Sequence, residues 1–311
     1  MTKHLSALLI AVALLAGCAA TPTLTNTADT STQATDLSKP GTDEPQTAAS
    51  VPQPSQMAAA KRAARMAGSG LDAEEEAARK DLWVRVRKGF AMPDLDSDLV
   101  RNREQWYASR PDYVARMTER SSRYMFYIVE EIERRGMPTE LALLPFIESA
   151  FNPQAISTAK ASGMWQFMAA TGKDFDLKQN VFRDDRRDVL ASTRAALDYL
   201  TRLHDQFGDW QLALAAYNWG EGSVQRAIAR NQKAGKPTDY PSLRMPEETR
   251  YYVPKLQAVK NIVADPANFG LSLPPLPNHP YFLSVPIERD IDVALAVQFS
   301  GVSMEEFRTL N

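Results

Sequence analysis

The feature that most constrains the fold is a long region of helical periodicity divided by short breaks. From Asp81 onward apolar residues recur three and four positions apart, beginning with Leu82, Trp83 and Val86. Residue types that cap or stop helices then recur at Met92-Pro93, Arg110-Pro111, Gly136-Met137-Pro138, Asn152-Pro153 and Gly208-Asp209. The segments between these breaks suit a compact all-α domain, and the absence of a convincing repeat makes a helical solenoid less favoured.

The N-terminus has the features of a secretory signal. A basic start at Lys3 precedes an apolar run, Leu5 to Leu15, that is too short to span a membrane comfortably. Cys18, the only cysteine, ends the string LAGC, which resembles the lipobox of bacterial lipoproteins. That resemblance implies lipidation of Cys18, and Ala19 after it favours the outer membrane. A buried or idle thiol would need a foldable sequence around Cys18, which we do not find.

The segment that follows is poor in core-forming residues. Residues 19–70 are dominated by Thr, Ala, Ser, Pro, Gln and Asp, the Ala- and Glu-rich stretch 71–80 is compatible with a helix, and the first aromatic residue of the chain is Trp83. Such a composition cannot bury enough apolar area to offset the entropy of ordering. We predict a disordered tether between the lipid anchor and the folded part.

The C-terminal part, residues 272–311, changes character again. We expect its proline-rich start, "LPPLPNHP", to leave the helical body. A short strand at Tyr281–Val285 and two helical patterns separated at Gly301 are predicted after it. This fragment resembles the helix pair of a LysM-type wall-binding module.

The charge balance and the histidine content restrict the classes of ligand that the protein is expected to bind. The 36 basic and 38 acidic residues nearly cancel, so charge alone does not predict binding to nucleic acid, and a polymer substrate must be recognised locally. The three histidines, His4, His204 and His279, form no ligand-like grouping. We predict neither a metal nor another cofactor.

One acid stands inside an apolar run. The string "LALLPFIESAFNPQ" contains Glu148 among residues that otherwise predict a core. Burial penalises an ionised carboxylate and raises its pKa, which suits a general acid in glycoside cleavage. The alternative is a solvated glutamate that caps a helix.

Three further strings mix glycines, aromatic side chains and amides. "SGMWQF" offers the apolar surfaces of Met164, Trp165 and Phe167 beside the amide of Gln166, a mixture that fits sugar rings. The alternative is that Trp165 and Phe167 are core residues. "AYNWG" and "ETRYYV" add, at the end of an Ala-rich helix and at a helix start, Tyr217, Asn218, Tyr251 and Tyr252.

With "ES" at Glu148, these strings resemble, in order and spacing, the catalytic domain of lytic murein transglycosylases of the goose-lysozyme-like superfamily. The resemblance covers about residues 81–271. It implies that Glu148 is the single catalytic acid and that Ser157 helps to hold the carboxyl and the sugar. Substrate-binding roles are implied for Met164, Gln166, Tyr217, Asn218 and Tyr252. Where many relatives have a GLMQ-like string this chain has GMWQ, so Trp165 would widen the stacking surface.

Five segments are therefore predicted. They are a lipoprotein signal peptide (1–17), a lipid-anchored linker (18–80), an N-terminal helical extension (81–120), a lysozyme-like catalytic domain (121–271), and the proline-rich crossing with its LysM-like fragment (272–311). We expect a monomeric outer-membrane lipoprotein that faces the periplasm.

The implied reaction uses one carboxyl group. Asp174, Asp176, Asp184 and Asp185, the nearest other acids, are interpreted as solvated. By resemblance, Glu148 protonates the glycosidic oxygen of peptidoglycan and the muramic acid's own hydroxyl closes a 1,6-anhydro ring. Two alternatives stay open: a lysozyme-like hydrolase in which water attacks, and a non-catalytic peptidoglycan-binding lipoprotein.

Overall fold

The computed structural model describes residues 8–10, 76–77 and 79–311. Most of the predicted signal peptide and linker, including Cys18, lies outside the described residues, and these predictions stay untested.

The described chain is helical, which confirms the all-α prediction. The α-helices are α1 (Leu82–Lys88), α2 (Asp98–Ala108), α3 (Pro111–Ser121), α4 (Met125–Arg134), α5 (Leu144–Glu148), α6 (Ala169–Asp174), α7 (Val189–Phe207), α8 (Trp210–Trp219), α9 (Glu221–Lys233), α10 (Glu247–Arg250), α11 (Tyr252–Ala264), α12 (Val293–Ser300) and α13 (Met304–Leu310). Short 3-10 turns cover Thr139–Leu143, Tyr240–Ser242 and Pro266–Phe269. Strand β1 (Leu8–Ile10) pairs antiparallel with β2 (Leu283–Val285), which lies within the predicted strand.

The helix boundaries follow the residue types that predicted them. Pro111 starts α3, where its missing N–H costs no helical hydrogen bond. The side chains of Asp188 and Asp209 accept hydrogen bonds from the first turns of α7 and α8. Gly208 ends α7 with a φ of 66°, a left-handed conformation that glycine adopts without steric cost.

Helix α8 forms the centre of the core. Its residues Ala213–Ala216 are fully buried, and α7, α9 and α11 all pack against this helix. Three of these four residues are alanines, so neighbouring helices can approach closely. The same core includes residues of α1, α2 and α3, which lie in the predicted N-terminal extension.

The proline-rich crossing does not leave the helical body, so that expectation is wrong. The indole N–H of Trp83 donates to the carbonyl oxygen of Pro274 at 3.1 Å, and the backbone N–H of Leu82 donates to Leu276 at 2.8 Å. Leu276 is buried in the main core. The crossing stays on the body because its apolar residues cover α1.

Helices α12 and α13 pack on each other around Ala296 and Phe307, which form a small separate cluster. Whether this pair with β2 is LysM-like stays a prediction. In the part of the chain that the structure describes, no helix has the length and apolar character needed to cross a membrane.

Candidate active site

Glu148 is the last residue of α5, at the rim of the core. Leu144, Pro145 and Phe146 of the same helix are buried, whereas Glu148 keeps partial solvent exposure. The backbone then turns sharply, because Ala150 and Phe151 have φ values of 51° and 57°. Left-handed conformations are costly for such residues and persist where packing holds them. Phe151 is fully buried, with its ring 4.6 Å from that of Phe146 between centroids, and this contact holds the turn.

The carboxyl group of Glu148 accepts a hydrogen bond from the phenol of Tyr252, the first residue of α11. Desolvation by the surrounding protein raises the pKa of Glu148 to about 7, against the lowering effects of the Tyr252 hydrogen bond and the charge of Lys255. The residue as a whole is half-buried, and the surrounding protein desolvates its carboxyl. A carboxyl with this pKa carries its proton near neutral pH and can release it to a substrate.

The loop that contains "SGMWQF" approaches Glu148 through Ser149. The Ser149 hydroxyl donates to the carbonyl oxygen of Met164 at 2.8 Å. Gly163 has a φ of 84°, and a Cβ atom there would lie 1.7 Å from the carbonyl oxygen of Arg186. Only glycine fits this close approach. Gln166 is also left-handed, with a φ of 51°, and its side-chain amide donates to the Gly163 carbonyl at 2.7 Å.

Trp165 does not form a stacking surface, so the sequence expectation of a wider stacking surface is wrong. Its side chain is fully buried, and the indole N–H donates to the hydroxyl of Thr193 in α7 at 3.0 Å. Phe167 and the side chain of Met164 are buried as well. These side chains fix the loop on α7 and α8, and any substrate contact by Met164 falls to its backbone.

Tyr217 and Asn218, at the end of α8, have their polar groups engaged within the protein. The Tyr217 hydroxyl donates to the Trp165 carbonyl at 2.8 Å, and burial raises the pKa of Tyr217 well above its usual value. Asn218 accepts from the hydroxyl of Thr249 at 2.8 Å, which joins α8 to α10. The two hydrogen bonds thereby connect the end of α8 to the loop that contains Trp165 and to α10.

Ser157 lies in a turn between Glu148 and Met164 in the chain. Its hydroxyl accepts from the backbone N–H of Ala161 at 3.0 Å, and its own N–H donates to the Ala161 carbonyl at 2.9 Å. Its role in holding the carboxyl and the sugar stays a prediction. Ser149 is the serine that contacts the loop containing "SGMWQF". Its position directly after Glu148 in the string "ES" was the sequence signal for this contact.

The acids after α6 are not uniformly solvated. Asp174 and Asp176 are exposed, as predicted, but Asp185 is buried and forms an ion pair with Arg183. Asp184 pairs with Arg186 at 2.8 Å. Burial opposes ionisation of Asp184, but the hydrogen bonds and charge of Arg186 outweigh it and lower its pKa. Arg186 also donates to the carbonyls of Lys160 and Phe167 at 3.1 Å, so this charged segment supports the loop that carries Gly163.

Two charged groups near Glu148 were not identified from the sequence. Lys255 and Glu248, on α11 and α10, act on the Glu148 carboxyl electrostatically with opposite signs. Neither stands in a position that local periodicity connects to Glu148. Among the described residues no group of three His, Cys, Asp or Glu side chains could hold a metal ion.

Comparisons with known proteins agree with the family resemblance that the four sequence strings indicated. Residues 126–239 match the Transglycosylase SLT domain. Membrane-bound lytic murein transglycosylase D of Escherichia coli K12 is 40% identical over 232 residues, which cover 74% of this chain and 51% of that protein. A protein named for tributyltin chloride resistance in Alteromonas sp. strain M-1 is 39% identical over 170 residues, which cover 54% of this chain and 80% of that protein.

The lytic transglycosylase Slt of Pseudomonas aeruginosa, a solved structure, has a TM-score of 0.35 and 23% identity over 47% of this chain and 24% of its own. The chain spans about half the length of the transglycosylase D that it matches. The resemblance inferred from the sequence is confirmed: the chain belongs to the lytic transglycosylase family that carries the SLT domain.

Proposed function

We propose that this protein is a peptidoglycan lytic transglycosylase. It cleaves the β-1,4 bond between N-acetylmuramic acid and N-acetylglucosamine and leaves a 1,6-anhydromuramic acid end. The observation that carries the proposal is the desolvated carboxyl of Glu148, whose pKa of about 7 suits a proton donor to a glycosidic oxygen.

In the proposed mechanism Glu148 acts twice. Protonated Glu148 first gives its proton to the glycosidic oxygen as an oxocarbenium-like centre develops on the muramic acid. The resulting carboxylate then takes the proton of the muramic acid C6 hydroxyl as that oxygen closes onto the anomeric carbon. The nucleophile belongs to the substrate, so proximity takes the place of a positioned water. The Tyr252 phenol orients the carboxyl and stabilises its ionised form through its hydrogen bond.

The surrounding residues hold the substrate in this proposal. The half-buried Gln166, Tyr217 and Asn218 present their remaining polar edges to the sugars, and Met164 and Ser157 contribute from the same loop. The Ser149 hydroxyl, bonded to Met164, fixes the distance between this loop and Glu148.

The cellular setting is also proposed. The lipobox at Cys18 and the name of the E. coli relative, a membrane-bound murein enzyme, support a periplasmic protein held at a membrane. The finer proposal is a monomeric lipoprotein of the outer membrane.

A lysozyme-like hydrolase remains the second candidate, because the same general acid serves both reactions and Glu148 is half-buried rather than fully buried. Mass spectrometry of muropeptides released from purified sacculi separates the two. We expect products that carry 1,6-anhydromuramic acid, about 18 Da lighter than hydrolysis products since no water is added. Reducing ends alone would overturn the transglycosylase and leave the hydrolase.

A further inference from the structure

A basic groove lies beside the turn that follows Glu148. It has a volume of about 780 Å³ and is bordered by the end of α3, the turn at residues 151–154, and α13. The described residues that line it include three arginines, Arg120, Arg123 and Arg308, against one acid, Glu305. This is an excess of two positive charges on a chain whose net charge is −2. The groove is therefore an electropositive site on a weakly acidic protein.

The arginines face solvent and suit an anionic ligand. All three are exposed on the protein surface. The Arg123 guanidinium lies 6.0 Å from the ring centroid of Tyr281, and none of the ion pairs among the described residues involves these three arginines. Planar guanidinium groups bind carboxylates through two parallel hydrogen bonds, a geometry that ammonium groups do not offer.

The groove is directly connected to the catalytic turn. Arg120 donates to the carbonyl oxygen of Ala150 at 3.2 Å, and Ala150 is two residues beyond Glu148. Phe151, whose burial holds the left-handed turn, also lines the groove. A ligand in the groove thus lies beside the backbone that positions the general acid.

The other lining groups suit a peptide. The Asn152 side-chain oxygen accepts from the backbone N–H of Gln154 at 3.0 Å, which leaves the amide nitrogen of Asn152 as a donor. The exposed amide of Gln154 can both donate and accept. A groove that combines guanidinium groups with side-chain amides can pair with the carboxylates and the backbone of a short acidic peptide.

We propose that this groove binds the carboxylates of the peptide stem carried by the muramic acid next to the cleaved bond. The inference rests on the proposed function, since the stem is a part of that substrate. Ion pairs between guanidinium groups and stem carboxylates select stem-bearing glycan and help to align the muramic acid with Glu148. The occupant is an acidic peptide on the substrate, and free inorganic anions would satisfy only part of the groove.

The test compares two substrates for the full chain. One is glycan strands with intact stems, and the other is strands from which an amidase has removed the stems, leaving the lactyl carboxylate on the sugar. For R123Q/R308Q we expect the ratio of kcat/KM on stem-bearing strands to that on denuded strands to fall roughly tenfold. This fall in the ratio should become smaller as the salt concentration rises, because the arginines are exposed and salt screens their charges. An unchanged ratio, including equal losses on both substrates, would overturn the proposal.

A matched control removes two positive charges elsewhere. Arg226 and Arg230 are exposed on α9 and do not line the groove, so R226Q/R230Q should keep the wild-type ratio. A fall in the control equal to that in R123Q/R308Q would show a general charge effect and overturn the site.

A binding measurement separates this proposal from the proposed function. Isothermal titration of the full chain with the free stem tetrapeptide requires no turnover. If the wild type released no anhydro products from either substrate, the proposed function would fail, while the tetrapeptide would still test the groove. Binding by the wild type that R123Q/R308Q weakens supports the groove, and equal binding by both proteins contradicts it.

Discussion

Glu140 and Glu148 are eight residues apart in the same apolar stretch, and their surroundings differ in one decisive respect. Glu140 is almost fully buried, and its carboxylate accepts hydrogen bonds from the backbone N–H groups of Ala91 and Met92 at 2.9 to 3.0 Å. It also forms an ion pair with Lys260 at 3.1 Å. Glu148 has the Tyr252 phenol as its hydrogen-bond partner. Its desolvation is therefore only partly compensated, and its pKa rises to about 7.

The comparison shows that burial alone does not make a proton donor. The Glu140 carboxylate has its hydrogen-bonding needs met by two backbone N–H groups and an ammonium partner, and it connects elements of the fold. A desolvated carboxyl with one neutral donor, such as that of Glu148, keeps its proton to near neutral pH. Glu140 is thus assigned to stability, and Glu148 to chemistry.

The largest effect is expected for Glu148→Gln. The amide keeps the shape of the side chain and cannot deliver a proton, so release of anhydromuropeptides should fall by about 10³-fold. Binding to sacculi and the thermal unfolding temperature should stay near those of the wild type. Retained cleavage by this variant would remove Glu148 from the role of acid.

The opposite result is expected for Glu140→Gln, which should lower stability and leave activity in place. It removes the negative charge that pairs with Lys260 and replaces one of the two accepting oxygens with an NH2 donor beside the Ala91 N–H, so the free energy of unfolding should fall by about 3 kcal/mol. Urea unfolding at 25 °C measures this loss. Activity per folded molecule should persist well below the transition. A Glu140→Gln variant that is stable but inactive would contradict the assignment of Glu140 to stability.

Stability should depend on pH through Glu148. Its folded-state pKa of about 7 lies above its ordinary value of 4.5, so the folded protein binds this proton more tightly than the unfolded chain does. The contribution is fully present below pH 4.5 and is lost as pH rises to 7. Because Glu148 is half-buried rather than fully buried, we expect the wild type to lose about 2 kcal/mol over this range relative to Glu148→Gln. If the free energy of unfolding changed equally with pH in the wild type and in Glu148→Gln, the raised pKa of Glu148 would be contradicted.

A smaller effect is expected for Tyr252→Phe. The phenol's hydrogen bond lowers the pKa of Glu148, so its removal should raise that pKa further. The alkaline limb of the kcat/KM profile should move to higher pH, while kcat falls by about tenfold or less. Tyr251→Phe is the matched control, since the Tyr251 ring packs under the Arg103 guanidinium at 4.5 Å. A limb that moves to lower pH would show that Tyr252 has another role.

The sequence could predict elements whose determinants are local. The helix start at Pro111 and the helix end at Gly208 depend on residues within one turn. The partners of the acid could not be predicted from spacing, because Tyr252 lies 104 residues away. Trp165 illustrates the same limit: its aromatic ring suggests a sugar platform, but Thr193 of α7 and the Tyr217 hydroxyl place it in the core. Glu140 was missed because an acid in an apolar run does not reveal whether N–H groups from a distant turn reach it.

The most direct test is a titration of the Glu148 carboxyl by NMR in protein labelled with ¹³C at the glutamate carboxyl carbon. Glu148→Gln identifies the resonance by its loss. We expect a midpoint near pH 7, which would establish an incompletely compensated carboxyl that carries its proton at neutral pH. A midpoint near 4.5 would mean that Glu148 is as well compensated as an ordinary surface glutamate, and would contradict the distinction between the two acids.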